Sequence, residues 1–290
     1  MTILVTGATG TVGRHVVDQL VKRGADVRAL VREPSKARLP AEVAVVQGDL
    51  IDVDSVRNAL SGVSTLFLLN AVVPDEFTQA LIALNLAREA GIERVVYLSV
   101  IHSDLYVNVP HFAGKFGVER MIEGMGFDAT ILRPAYFMNN DLMIKDVVLG
   151  HGVYPMPIGT RGLAMIDAAD IGEIAAFELI RRERAGTPLP FERINLVGPQ
   201  MLTGPDVAAI WSEVLGRPVA YGGDDTEAFE RNLRQQHMPA WMAFDMRLMC
   251  ERFLELGMRP EAGDVDRLTA LLGRPLRSYR DLAGQFAASA

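Results

Sequence analysis

Cysteine is almost missing from the chain: Cys250 stands alone among 290 residues. One thiol cannot close an intramolecular disulfide and rules out a Cys-rich metal site, which points to a reducing, cytoplasmic setting. Histidine is scarce at five residues, and His102, His151 and His237 share no repeated spacing with carboxylates, so no metal site is expected. Positive charge is in deficit. The 29 Lys and Arg stand against 36 Asp and Glu, a net charge of −7 with a pI near 5.3, the reverse of a nucleic-acid footprint. Long apolar runs are missing too, since none approaches the ~18 residues of a membrane span. The segment 1–7 lacks the charged start and extended apolar core of a signal peptide. There is no Gly-x-Ser-x-Gly element of a hydrolase nucleophile, no internal repeat and no low-complexity linker. What is present is an ordinary globular mix, 49% hydrophobic and 22% charged. Its length suits one large domain or two closely joined ones.

The first half alternates two signals. Short β-branched apolar runs at 3–6, 27–31, 43–46, 65–69, 95–99 and 129–132 are separated by helical patterns at 13–23, 54–60, 76–90 and 112–125. Near-continuous apolar strands between helices predict a parallel sheet covered on both faces. Gly24 and Gly91 fall where a left-handed helix end favours glycine, and Asp52 is placed to cap the helix at 54. The expected fold is a doubly wound α/β Rossmann domain over residues 1–134, completed by about 164–198. A smaller, mostly helical lobe for substrate is expected from 135–163 and 199–290. Residues 135–162, rich in Gly, Pro, Met and Asn, read as long loops. Helices are predicted at 170–182, 205–215, 226–236, 241–256 and 265–272, and a strand at 193–197. Met238, Met242, Met246 and Met249 share one helix face, and that stripe is read as core packing.

The most informative segment is Thr6-Gly7-Ala8-Thr9-Gly10-Thr11-Val12-Gly13, directly after the first strand and opening the first helix. A pyrophosphate needs backbone N–H donors, close approach and the positive end of a helix dipole, and glycines permit that approach. The spacing is GxxGxxG, in the strand-before, helix-after context that dinucleotide binding requires. The end of the second strand selects the cofactor. Arg32 and Lys36 stand where cations would meet the 2′-phosphate of NADP(H), which places it ahead of NAD(H); Glu33 is the opposing feature. Asp49, with Leu50, is read either as a contact for the adenine amine or as a simple turn residue.

These motifs, TGATGTVG at 6–13, GDL at 48–50, YLSV at 97–100, HFAGKFGVE at 111–119 and ILRPAYFMNN at 131–140, resemble the NmrA-like family of atypical short-chain dehydrogenase/reductases. The tail LTALLGRPLRSYRDLA at 268–283 is similar to that family's C-terminal end. The resemblance implies a dinucleotide site formed by Thr6, Gly7, Thr9, Gly10, Thr11, Val12, Gly13, Arg32, Lys36, Asp49, Leu50, Asn70 and Lys115. It implies one of two functions. Some members are NADPH-dependent reductases of quinones, triphenylmethane dyes or related acceptors; others bind the dinucleotide without turning it over and act as redox sensors for regulatory proteins. The Tyr-x-x-x-Lys pair of ordinary short-chain dehydrogenases is replaced here by His111-Phe112-Ala113-Gly114-Lys115. The lysine is kept and the tyrosine is not.

The candidate catalytic residues are therefore Lys115, His111 and Ser99. Lys115 would hold the nicotinamide ribose, and His111, four residues earlier on one helix face, either donates a proton or packs the helix entry. Ser99 ends the fifth strand. Tyr136, Phe137 and Met138 follow the sixth strand, where ligands bind in such sheets, and are read as substrate contacts or as packing. The leading expectation is an NADPH-dependent oxidoreductase passing hydride to a small, flat, electron-poor molecule, for which proximity does most of the chemistry. The partner is then a small molecule, with no nucleic acid and no membrane, and the protein a monomer or homodimer. The alternative is the non-catalytic NADP(H) sensor. A sugar-nucleotide epimerase fits less well without the tyrosine.

Overall fold

The computed structural model describes residues 1–288. Its strands in chain order are β1 (Thr2–Val5), β2 (Asp26–Val31), β3 (Ala44–Gln47), β4 (Val63–Leu68), β5 (Arg94–Leu98), β6 (Asp128–Pro134), β7 (Val153–Tyr154), β8 (Glu192–Leu196) and β9 (Ala220–Tyr221). Its α-helices are α1 (Gly13–Lys22), α2 (Val53–Leu60), α3 (Glu76–Glu89), α4 (Pro110–Gly124), α5 (Lys145–His151), α6 (Ala168–Arg184), α7 (Gly204–Leu215), α8 (Thr226–Gln235), α9 (Ala240–Glu255), α10 (Asp264–Leu272) and α11 (Tyr279–Ala288). No helix among the described residues is long and apolar enough to cross a membrane.

Two compact units emerge. The first comprises Met1–Val100, Gly114–Arg133 and Ala168–Ile194. Its sheet runs β3-β2-β1-β4-β5-β6, with β8 beyond β6, and the pairs from β3 through to β6 are all parallel. The order reverses between β1 and β4. Parallel pairing puts the carboxyl ends of these strands on one edge, so the residues following β1, β2, β3, β4 and β5 share that edge. Leu4, Leu66, Leu68, Val95 and Ile131 from the strands pack against Ala59, Leu84, Val118 and Ile122 from α2, α3 and α4, all buried. At about 1.5–3 kcal/mol for each large apolar side chain removed from water, this layer stabilises the unit substantially. Elsewhere in the unit α1 packs on α6. A Cβ on Gly172 would collide with that of His15, so glycine sets this close approach.

The second unit comprises Ile101–Ala113, Pro134–Asp167 and the described part of Asn195–Ala290. It is mostly helical, with β7 and β9 as a small parallel pair. At its centre the buried carboxylate of Asp141 accepts hydrogen bonds from Tyr136 (2.9 Å), Tyr154 (3.0 Å) and Tyr279, and Trp211 Nε1 donates to the Tyr279 hydroxyl at 3.1 Å. Three sequence expectations change. Residues 135–162 are not long loops, because a 3₁₀ helix (Met138–Ile144), α5 and β7 lie there. The segment Ile101–Ala113 belongs with the second unit instead of the first. The helix α11 lies where the sequence pattern places none.

Candidate functional site

The glycine turn is built by three different constraints. Gly7 has φ +62°, a left-handed conformation that suits glycine, and a Cβ there would lie 2.9 Å from Leu69 Cγ. A Cβ on Gly13 would overlap the carbonyl oxygen of Gly7, so this glycine lets α1 start against the turn. Gly10 is less crowded: its Cβ would sit 3.2 Å from the Gly7 oxygen, and its N–H already donates to that oxygen at 2.9 Å. The helix has no side-chain cap, so its first amides are not satisfied by a capping oxygen. Gly7, Thr9, Gly10 and Thr11 are exposed, while Val12 is buried in the core beneath them.

Thr6 needs a correction. Its side chain is buried, donating to the Leu69 carbonyl at 2.9 Å and accepting from the Leu69 N–H at 2.8 Å. It ties the end of β1 to the end of β4, and its hydroxyl is not free for a ligand. The next residue on β4's extension is different. Asn70 is 4% exposed, and neither its Oδ1 nor its Nδ2 has a hydrogen-bond partner. A buried amide left unsatisfied costs roughly 1–3 kcal/mol, so such a group calls for an explanation. A ligand with donors and acceptors supplies one. The exposed glycine turn and the orphaned amide of Asn70 together fit a dinucleotide.

After β2, Arg32 is exposed, and no described residue pairs with its guanidinium. Glu33 and Lys36 pair with each other at 2.6 Å, so the carboxylate that argued for NAD(H) has its own counter-ion. Asp49 accepts the Ile51 N–H at 3.2 Å, and Ser55 Oγ bridges the Asp49 backbone, the arrangement of a turn aspartate with one carboxylate oxygen engaged. Leu50 beside it is half-buried.

The catalytic candidates are all anchored. Lys115, 8% exposed, donates through Nζ to Glu76 Oε1 at 2.5 Å. Glu76 is the first residue of α3, where the helix dipole favours a carboxylate, and nothing in the sequence pattern singled it out. Ser99 is corrected: its buried hydroxyl donates to Glu119, which also takes two hydrogen bonds from Arg133 Nε at 2.9 and 3.2 Å. That serine closes a buried ion-pair network and is not presented to a substrate. Nearby in the sequence, the Tyr97 hydroxyl is buried without a partner. Burial chiefly, then the charges of Glu76 and Glu119, push its pKa well up, so it stays protonated. In the second unit, His111 hydrogen-bonds Asp245 through Nδ1. Tyr136 and Met138 are buried, with the Tyr136 hydroxyl spent on Asp141, which corrects their reading as substrate contacts; Phe137 keeps exposed surface.

The chain resembles known proteins over nearly its whole length. The model of the NmrA-like family matches residues 1–284. An NAD(P)H azoreductase from Xenophilus azovorans is 31% identical over 291 residues, covering 99% of this chain and 98% of that protein. The NADPH-dependent quinone oxidoreductase QOR2 from Escherichia coli, solved with NADPH, superposes with a TM-score of 0.86 at 25% identity over 98% of this chain and 99% of that one. The triphenylmethane reductase of Citrobacter sp., solved with NADP(H), shares the fold with a TM-score of 0.84 at 23% identity, covering 98% and 99% of the two chains. With a family match over nearly its whole length and a full-length relative above 30% identity, this chain belongs to the NmrA-like family.

Proposed function

We propose that this protein is an NADPH-dependent oxidoreductase that passes hydride to a small, electron-poor acceptor such as a quinone or a dye. The observation that carries the reading is the orphaned amide of Asn70, one residue beyond the Leu69 that packs on Gly7. It is a polar group with no partner in its own fold, next to a turn in which Gly7, Thr9, Gly10 and Thr11 are exposed. The relatives named above, an azoreductase and a quinone oxidoreductase, support the same chemistry.

NADPH, when bound, supplies a hydride from the nicotinamide C4; everything else falls to the chain. The exposed turn residues Gly7, Thr9 and Thr11 would offer their amides to the pyrophosphate, Gly10 and Gly13 would leave room for it, and the dipole of α1 would aid it. Arg32 offers a planar fork to the 2′-phosphate, with Lys36 close by in sequence. Asp49 and Leu50 border the adenine. Lys115 positions the nicotinamide ribose, and Glu76 balances its buried charge. Phe137 is kept as a substrate contact. The buried, lone Cys250 is in keeping with a cytoplasmic setting.

Calorimetric titration with NADPH and with NADH tests the cofactor assignment. Tighter binding of NADPH is expected. Equal affinities would remove Arg32 from the site and restore Glu33 as a ribose ligand.

A further inference from the structure

In the first unit a buried hydroxyl reaches a group of charged side chains and bonds to none of them. Tyr97 lies on β5, paired with Leu68 of β4 and Ile131 of β6. Its ring is fully buried in the cluster that holds Ala80 and Leu84 of α3 and Val118 and Ile122 of α4. On those helices Glu76 precedes Ala80 by one turn, and Lys115 and Glu119 share the face of Val118 and Ile122. Strand and helices thus bring one hydroxyl, two carboxylates and one ammonium to the same buried region. Burial first, then the charges of Glu76 and Glu119, keep the hydroxyl protonated. Glu119 is already engaged by Ser99 and by Arg133. Glu76 has room: Lys115 Nζ donates to its Oε1 at 2.5 Å, and no described residue hydrogen-bonds its Oε2. A donor without an acceptor, Tyr97 Oη, therefore stands near an acceptor that is only half used.

We infer that Tyr97 is a positioning residue for the cofactor: its hydroxyl is the donor that takes over Glu76 when Lys115 turns from that carboxylate to the nicotinamide ribose. The inference rests on the cofactor reading of Lys115 given above. A lysine that left Glu76 without a substitute would strand a buried carboxylate, and that is strongly unfavourable. Tyr97 removes the obstacle. Its phenol donates one charge-assisted hydrogen bond to a carboxylate whose last torsion is soft, so the exchange needs neither helix to move. Two pairings of the same three side chains result. In the cofactor-free protein Lys115 holds Glu76 and the Tyr97 hydroxyl is idle. With NADPH bound, Lys115 holds ribose oxygens and Tyr97 holds Glu76. No proton changes hands, since the phenol stays a donor throughout. Phenylalanine would fill the same space and support only the first pairing, so a tyrosine at this buried position serves binding more than folding.

The test is Tyr97→Phe, titrated by calorimetry with NADPH and with 2′,5′-ADP, which carries the 2′-phosphate but has no nicotinamide ribose. NADPH binding is expected to weaken by about 10- to 100-fold, the weight of one hydrogen bond to a charged group, with 2′,5′-ADP affinity unchanged. The melting temperature of cofactor-free Tyr97→Phe should equal or exceed that of the wild type, because no bond is lost there. Placed in the Lys115→Met/Glu76→Gln background, the same substitution should have no further effect on NADPH affinity. Carbon-13 NMR gives a second readout, with label on the tyrosine ring carbon that bears the hydroxyl. The resonance missing from Tyr97→Phe should move when NADPH is added to the wild type and stay in place when 2′,5′-ADP is added. Wild-type NADPH affinity in Tyr97→Phe, an equal loss for the two ligands, or a lowered melting temperature would each overturn the proposal and leave the cofactor reading in place. A wild type that binds neither ligand overturns both.

Discussion

Arg32, Asn70 and Lys115 are three polar residues whose surroundings predict three different responses to substitution. Arg32 is exposed and unpaired among the described residues, so Arg32→Ala should leave folding and NADH affinity nearly unchanged. It should weaken NADPH binding by the value of a charge-assisted contact, about 1.5–3 kcal/mol, in a calorimetric titration. Asn70 has no partner in its own fold, so its burial lowers stability. Asn70→Leu, close in volume, should raise the melting temperature of the cofactor-free protein, by roughly 1 kcal/mol in stability, while lowering NADPH affinity. A drop in both would mean that Asn70 is bonded in the native state. Lys115 is the reverse case. Removing it strands Glu76 as a buried uncompensated charge at a cost of about 3–5 kcal/mol. Lys115→Met alone therefore confuses chemistry with stability. The double variant Lys115→Met/Glu76→Gln should recover much of the folding loss yet remain slow in turnover, read by calorimetric scanning beside steady-state kinetics. Sequence motifs reached Lys115 and His111 but not Glu76 or Asp245, which lie 39 and 134 positions away from their partners. A single Glu or Asp in an amphipathic helix carries no mark of the partner that the fold will bring to it.

At the scale of elements, the glycine turn divides into structure and recognition. A Cβ on Gly13 would overlap backbone, so Gly13→Ala should cost stability directly; one on Gly10 meets only the Gly7 oxygen at 3.2 Å. Gly10→Val should thus keep a near-native circular dichroism spectrum and melting temperature but lose NADPH binding, because its branched atoms occupy the approach of the pyrophosphate. Full NADPH affinity in Gly10→Val would place the cofactor elsewhere. The strands and helices of the first unit were readable because apolar runs and 3.6-residue periods coincide with burial there. Around 138–151 they do not. The 3₁₀ helix at Met138–Ile144 has no 3.6 period, and α5 begins at an Ile N-cap without a side-chain bond. By contrast, α11 does carry a signal in the sequence. Ser278 and Asp281 each donate a backbone N–H to the other's side-chain oxygen as a capping box, a spacing visible in Ser278-Tyr279-Arg280-Asp281.

On the scale of the whole molecule, the Asp141 hub gives stability a pH dependence. Burial pushes its carboxyl up from the ordinary 3.8 to about 6, against the three tyrosine hydrogen bonds that pull it down. The folded state therefore holds a proton that the unfolded chain has released. This contribution is complete below about pH 3.8 and is lost as pH rises through about 6. Melting temperatures of wild type and Asp141→Asn should accordingly differ in their slope between pH 4 and pH 7 (about the two values above), the wild type losing this term with rising pH and the variant lacking it. Parallel slopes would show that the carboxyl titrates as in the unfolded chain. Fold class and family could be read from the sequence because they depend on local pattern, whereas the buried hub depends on Tyr136, Tyr154 and Tyr279 converging from distant segments.

The central claim, that this NmrA-like protein is a reductase, comes down to whether bound NADPH is consumed. Single-turnover mixing of the NADPH-loaded wild type with a panel of quinones, azo compounds and cationic dyes, followed by nicotinamide absorbance, measures this directly. Rapid oxidation of one equivalent by at least one acceptor, lost in Gly10→Val, is the expected result. NADPH that binds tightly but persists against the whole panel would contradict the account and make the protein a dinucleotide sensor.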